Sequence, residues 1–147
     1  MVILCDTSVL VPALIEEHAH HSLAFSLIQK IRGGEFNASI CAHTLAECYA
    51  SITAIPGEEP IQPAQAWDAI EKHIIPVFQV IELVLQDYQN ALQAVVRHNL
   101  KSGVVYDALI LQAAIKKKIK HLVTWNKKHF EQLSQGEIQI STPESFA

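Results

Sequence analysis

The sequence predicts an α/β fold with a mainly parallel central sheet, and three observations support this prediction. Short apolar runs alternate with longer segments of helical periodicity, which is the pattern of strand–helix–strand units. Half of the residues are hydrophobic and only 18% are charged, which provides for a core and excludes a disordered chain. No repeat or linker divides the sequence, so we expect residues 1–147 to form a single domain.

The predicted elements follow one another in a regular order. The run Val2–Cys5 is a short buried strand that ends at Asp-Thr-Ser, which is a helix-start signal. Further helices are predicted at about 20–31, 42–54, 63–73, 87–98 and 104–118. Further strands are predicted at 38–41, 77–83, 121–124 and 138–140, with a helical turn between the last two.

Composition excludes several classes of protein. No apolar run reaches the roughly 18 to 20 residues of a membrane-spanning helix, and no basic residue precedes the apolar N-terminal stretch, as it would in a signal peptide. We therefore expect a soluble cytoplasmic protein that has no membrane partner. Cys5, Cys41 and Cys48 show no C-x-x-C spacing and lie among apolar residues, which predicts buried thiols rather than a metal or redox site.

Charge is distributed unevenly along the chain. The net charge of −4 argues against non-specific binding of nucleic acid. Yet six of the eleven Lys and Arg residues lie between Lys116 and Lys128, whereas the segment 33–71 contains none. This basic segment is either a solvated helix end or a surface that holds a nucleic-acid backbone, with Lys116, Lys120, Lys127 and Lys128 as the contacts.

Two acids occupy positions that suit both a structural and a chemical role. Asp6 follows the first strand, at the end where parallel sheets bind ligands, but Asp at this position is also a good helix N-cap. Glu47 lies in the helix 42–54 and points away from its apolar face. That face is predicted to consist of Leu45, Tyr49 and Ile52. The face of Glu47 carries small residues and no Lys or Arg, which is unusual for an ordinary solvated surface.

Asp107 is the most informative acid. It lies near the start of the helix 104–118, which is apolar nearly all round and is therefore expected to be buried on most sides. An ionised carboxylate there costs several kcal/mol unless something pairs with it. The helix N-terminus offsets only about 0.3 to 1 kcal/mol of that cost. Asp107 is therefore either a hydrogen-bonded buried aspartate or part of a charged site.

The three acids Asp6, Glu47 and Asp107 share one electrostatic problem. None has a basic residue nearby in sequence, and like charges brought within a few ångströms cannot all ionise without a cation. Mg²⁺ or Mn²⁺ prefers such oxygen ligands, and metal-activated water that attacks a phosphodiester is the chemistry that suits the site best. Asn126, just after the strand 121–124, is predicted to lie at the same end of the sheet.

Four segments in this order and spacing resemble the PIN-domain nucleases, specifically the toxin half of VapBC toxin–antitoxin pairs. They are Asp6-Thr7-Ser8 after the first strand, Glu47 in its helix, Tyr106-Asp107-Ala108, and the stretch from Leu122 to Phe130 (LVTWNKKHF). The resemblance covers nearly the whole chain and implies a compact three-layer α/β/α sandwich. It also implies an endoribonuclease that depends on Mg²⁺ or Mn²⁺, with RNA as substrate and Asp6, Glu47 and Asp107 as metal ligands.

The resemblance implies roles for three further positions and for partners. Asn126 stands where many members have a fourth acid, so it can ligate through its carbonyl oxygen or orient a water, and it favours one firmly bound metal over two. Ser8 and Thr124 match positions that hydrogen-bond around the pocket. A small antitoxin that binds operator DNA, and a homodimer of the toxin, are the implied partners. A PIN-like domain that binds RNA or protein without cutting remains the main alternative.

Other small α/β proteins with acidic pockets fit the sequence less well. A receiver-like signalling domain needs paired acids after the first strand, where Asp6 stands alone. A haloacid-dehalogenase-like phosphatase needs Asp-x-Asp, but position 8 is Ser. The histidines at 18, 20 and 21 suggest a polar helix start more than a transition-metal site. Trp125 is interpreted as a core or partner-facing residue rather than a base-stacking one, because no second aromatic accompanies it in sequence.

Overall fold

The protein is described by a computed structural model that covers all residues 1–147. Five strands form one sheet: β1 (Val2–Cys5), β2 (Asn37–Cys41), β3 (Gln79–Ile81), β4 (His121–Val123) and β5 (Gln139–Ser141). Seven α-helices surround it: α1 (Thr7–Leu14), α2 (His21–Arg32), α3 (Ala42–Thr53), α4 (Pro63–His73), α5 (Leu85–Arg97), α6 (Val104–Lys116) and α7 (Lys127–Ser134). A short 3₁₀ helix, Pro143–Phe146, follows the last strand.

All strands of the sheet are parallel, in the order β3-β2-β1-β4-β5. From β1 the chain extends the sheet first to one side, through β2 and β3, and later to the other side, beginning with β4. The register places Leu4 beside Leu122 and Cys5 beside Val123. The sheet therefore has its topological switch point between β1 and β4, and a crevice forms there beyond the carboxyl ends of the strands.

Alternating side chains of the strands divide the core into two layers. Ile3 and Cys5 of β1 pack on one face of the sheet with residues of α1, α2, α3 and α4, whereas Leu4 packs on the other face with residues of α5, α6 and α7. Successive residues of a strand point to opposite faces, so the three buried residues of β1 contribute to both layers. The result is the predicted three-layer α/β/α sandwich with a parallel sheet.

The predicted elements are confirmed, with a few differences at their ends. The strand predicted at 77–83 is limited to β3, because the backbone N–H groups of Val77 and Phe78 bond to the carbonyl oxygen of Ile74 in a turn. The helix predicted to residue 118 ends as α6 at Lys116, and Lys118 has a positive φ of 55°. All three cysteines are buried free thiols, as predicted. Among the seven α-helices, none combines the length and the apolar character that a membrane-spanning segment requires.

Candidate active site

Asp6 lies at the switch point, directly after β1, and is held by three hydrogen bonds. Its Oδ1 accepts from the backbone N–H of Thr7 at 2.7 Å, so it caps α1. Its Oδ2 accepts from the hydroxyls of Ser8 at 2.8 Å and Thr124 at 2.7 Å. The residue is only 3% exposed. These bonds fix the carboxylate between β1 and β4, so its capping role and its place in the crevice coexist.

Ser8 and Thr124 tie the ends of β1 and β4 together around this carboxylate. Besides donating to Asp6, the Ser8 hydroxyl accepts from the backbone N–H of Trp125 at 3.0 Å. The Thr124 hydroxyl accepts from the backbone N–H of Asn126 at 2.8 Å. Each hydroxyl thus joins the acid to the loop that follows β4. A change at either position would let the acid and this loop move independently.

Glu47 projects from α3 towards the same crevice. Its Oε1 accepts from the Thr7 hydroxyl at 3.3 Å, and its side chain is 25% exposed. Burial and the nearby charges of Asp6 and Asp107 raise the pKa of Glu47 to about 7, although the Thr7 hydrogen bond opposes this. His43 lies 4.0 Å away, but burial lowers the pKa of its imidazole. His43 is therefore neutral at pH 7 and does not compensate the carboxylate.

Asp107 completes the set from the first turn of α6. Burial and the proximity of Asp6 raise the pKa of its carboxyl, and this outweighs the opposing hydrogen bond from His129. Nδ1 of His129 lies 2.7 Å from Oδ2 of Asp107, and the Asn126 amide donates to the same oxygen at 3.3 Å. His129 and Asn126 both belong to the segment after β4. They orient Asp107, whose side chain is 14% exposed.

The three carboxylates line one open cleft of about 420 Å³. Its other lining residues are Thr7, Ser8, Val11, Pro12, His18, His20, Ser51, Trp125 and Asn126. No Lys or Arg lines the cleft, and none forms an ion pair with any of the three acids. The lining therefore contains no ammonium or guanidinium group that offsets the charge of the three acids, which leaves the cleft in need of a cation.

The donor set fits a hard divalent cation. The hydrogen bonds described above use Oδ2 of Asp107 and Oε1 of Glu47 and leave the second oxygen of each carboxylate without a hydrogen-bond donor. No group of three His, Cys, Asp or Glu side chains stands close enough to enclose an ion on its own. Mg²⁺ characteristically binds through one or two carboxylates and retains several waters, so it does not need a closed cage.

The structure brings together most of the predicted site residues and separates two of them. Asp6, Glu47, Asp107 and Asn126 all line the cleft, with Thr124 bonded to Asp6. Lys127 and Lys128 begin α7, just after Asn126. Two of the lysines that were predicted to contact a nucleic-acid backbone lie elsewhere. Lys116 is paired with Asp87 at 2.7 Å, and Lys120 precedes β4, at the strand end opposite the cleft. Sequence proximity was misleading for these two, because a strand lies between them and the site.

Two residues of the site were not among the predicted site residues. His129 contacts Asp107 directly, and Thr7 contacts Glu47. The spacing of Asn126 and His129 was an available signal, because residues three apart at a helix start share one face. For Thr7 the sequence offered only its place beside Asp6. Its contact joins residues 40 positions apart and depends on how α3 packs beside α1.

The comparisons with known proteins agree with this fold. The family model described as PIN domain matches residues 3–135. This chain belongs to the PIN domain family. A relative called Ribonuclease VapC27, from Mycobacterium tuberculosis, is 27% identical over 110 residues, which make up 74% of each chain.

Solved structures share the fold over nearly the whole chain. VapC20 of Mycobacterium tuberculosis, described as a Sarcin-Ricin loop cleaving toxin, superposes with a TM-score of 0.70 at 19% identity and covers 93% of this chain and 98% of its own. VapBC2 of Rickettsia felis, solved bound to a DNA fragment from its promoter, gives a TM-score of 0.64 at 19% identity and covers 97% of this chain and 98% of its own. At these identities the structures support the fold.

Proposed function

We propose that this protein is an endoribonuclease that depends on Mg²⁺ or Mn²⁺ and acts as the toxin of a type II toxin–antitoxin system. The observation that carries the proposal is the convergence of Asp6, Glu47 and Asp107 in one cleft without any Lys or Arg. The three acids come from different elements of the chain and are more than 40 residues apart. Such a set has a high electrostatic cost unless it serves to bind a cation.

The protein's own residues would hold the cation and order the substrate around it. Asp6 and Asp107 are the fixed ligands, since each is oriented by hydrogen bonds from the segment after β4. Glu47 would contribute its carboxylate when the cation displaces the proton that burial favours. When bound, Mg²⁺ supplies positive charge to the phosphodiester and lowers the pKa of the water that attacks it. Asn126 would add a neutral oxygen, which favours one firmly bound ion.

RNA is the proposed substrate because the family and the VapC relatives point to it. The relative with 27% identity is named a ribonuclease, and one neighbour by fold is described as a Sarcin-Ricin loop cleaving toxin. Lys127 and Lys128 lie at the start of α7, next to Asn126, and are the lysines best placed to contact an RNA backbone there. Lys116 and Lys120 are not included, because one is paired and the other lies at the far end of the sheet.

Removal of divalent cations provides the test of this proposal. We expect the purified protein to cleave structured RNA in Mg²⁺, to lose at least about 100-fold of its rate in EDTA, and to recover when excess Mg²⁺ is added. Cleavage is measured by gel electrophoresis of labelled RNA. Undiminished cleavage in EDTA would exclude the metal mechanism. RNA binding without cleavage in any cation would instead favour the alternative, a PIN-like domain that binds without cutting.

A cognate antitoxin and a second copy of the chain are the proposed partners. The antitoxin is inferred from the solved neighbours, among which VapBC2 is a toxin–antitoxin pair on promoter DNA. The homodimer is supported by a stripe of exposed apolar side chains on one face of α5, formed by Leu85, Tyr88, Leu92 and Val96. Contiguous exposed apolar surface marks a protein interface. We propose that residues 1–147 act as one PIN domain within this assembly.

The α5 stripe makes the dimer testable. Leu92→Glu is expected to weaken dimerisation at least about tenfold, because it would bury an unpaired carboxylate in the interface. Gln93→Glu adds the same charge one position away, outside the stripe, and is expected to leave the dimer intact. Light scattering during size-exclusion chromatography measures the mass of each variant over a range of concentrations. If both variants behave alike, α5 is not the interface.

A further inference from the structure

One wall of the active-site cleft is built from aromatic rings that are distant in sequence. His20 stacks on Trp125, with ring centroids 4.3 Å apart and planes inclined by 15°. His18 lies against His20 at a centroid distance of 5.6 Å and an angle of 34°. Both histidines come from the segment between α1 and α2, whereas Trp125 follows β4. Trp125 has no aromatic companion nearby in sequence, but the fold supplies one, an imidazole 105 positions away. Its ring also packs against the core, as the interpretation of Trp125 as a core residue expected.

Hydrogen bonds connect this wall to the carboxylates and to the chain around it. The Trp125 indole N–H donates to Oε1 of Glu144 at 3.1 Å, and its ring packs partly buried against the core. Its backbone N–H donates to the Ser8 hydroxyl, which also donates to Asp6. The backbone N–H of His20 donates to Nδ1 of His18 at 3.0 Å. His20 is thus an exposed ring stacked on a partly buried one, in the lining of the cleft where chemistry is proposed.

Charge in the cleft leaves few other ways to hold a nucleotide. The lining contains three acids and no Lys or Arg, so no cationic side chain of the cleft itself holds a phosphate backbone. An aromatic face, by contrast, binds any nucleobase by stacking, and stacking on aromatic or imidazole rings is a general mode of recognition for single-stranded RNA. The wall supplies this kind of surface at the edge of the carboxylate cluster.

We propose that His18, His20 and Trp125 form a nucleobase subsite, in which a base next to the cleaved phosphodiester stacks on His20. The inference rests on the proposed function in taking RNA as the ligand. Trp125 orients His20 and supports it from behind, and His18 borders the subsite. The subsite would determine where a strand lies relative to Asp6 and Asp107, and would require the bound segment to be unpaired.

Binding of RNA can be measured separately from its cleavage. The probe is a short fluorescein-labelled single-stranded RNA in EDTA, with affinity determined by fluorescence anisotropy. We expect His20→Ala to weaken binding about 5- to 150-fold, the range measured for loss of one base–aromatic stack. His20→Phe retains a flat ring and is expected to keep most of the affinity. His73→Ala removes an exposed imidazole outside the cleft and is the matched control, with no change expected.

An abasic probe tests whether a base is the group recognised. RNA that lacks the base in the subsite is expected to bind wild-type protein more weakly but to bind His20→Ala with no additional loss, because the two changes remove the same contact. Equal affinity of wild type and His20→Ala would overturn the subsite, as would an equal loss in His20→Ala and His20→Phe. If wild type binds RNA through His20 but cleaves none, the nuclease proposal fails while the subsite stands.

Discussion

Asp107→Asn is expected to abolish RNA cleavage while leaving the fold as stable as wild type or more so. The loss should be at least about 100-fold, because a metal ligand supports several kcal/mol of transition-state stabilisation. We expect no loss of stability in this variant because burial already disfavours the charged carboxylate and raises the pKa of Asp107. A neutral amide of the same shape can still accept the hydrogen bond from His129. Cleavage kinetics and thermal unfolding in EDTA measure the two effects.

The control for this variant is Asp68→Asn, which removes an exposed carboxylate on α4 that pairs only with Lys72. It is expected to leave cleavage unchanged. Asp6 is less suitable as the test position, because it caps α1 and accepts from a buried threonine hydroxyl. Its removal would cost stability as well as activity. Cleavage by Asp107→Asn within a few-fold of wild type would contradict the assignment of Asp107 as a metal ligand.

The second large effect is a loss of stability of the metal-free protein as pH rises towards 7. Burial and the neighbouring acids raise the pKa of Glu47 from 4.5 to about 7. The folded state therefore holds a proton that the unfolded state releases above about pH 4.5. The contribution of Glu47 to the free energy of unfolding is fully present below pH 4.5 and is lost as the pH rises through 7. After allowance for solvent screening, this loss is on the order of 2 kcal/mol. Asp107 contributes in the same direction.

Thermal unfolding in EDTA across this pH range measures the effect. Glu47→Gln is expected to flatten the dependence, whereas Glu71→Gln, an exposed acid on α4, should leave it as in wild type. Saturating Mn²⁺ should reverse the slope, since the cation binds the deprotonated carboxylates and stabilises the folded state more as pH rises. A Glu47→Gln variant with the same pH dependence as wild type would show that Glu47 does not hold this proton.

Much of the sheet and the acidic set could be predicted because local patterns encode them. Strand β1 is an apolar run that ends at Asp6, and the parallel arrangement requires Asp6 and Asn126 to lie at the same end of the sheet. Asp107 was identifiable because a carboxylate in a nearly all-apolar helix has to be paired or functional. For these residues, the local sequence pattern alone indicates the position that the side chain takes in the fold.

Other features depend on contacts between distant segments and could not be predicted. The buried face of α3 is formed by Thr44, Cys48 and Ile52, and the prediction that Tyr49 belongs to it is wrong, since Tyr49 is exposed. Successive residues of a helix are about 100° apart, so an error of one position moves a side chain from the buried face to the exposed one. The stack of His20 on Trp125 depends equally on tertiary packing, because nothing in either segment alone indicates its partner.

The central claim is that Asp6, Glu47 and Asp107 form one cation site. Calorimetric titration of the purified protein with Mn²⁺, in buffer free of other divalent ions, tests it most directly. We predict one bound Mn²⁺ per chain in wild type and in Asp68→Asn, with binding weakened at least about tenfold in Asp107→Asn and in Glu47→Gln. Equal affinity for Mn²⁺ in wild type and in both site variants would contradict the claim.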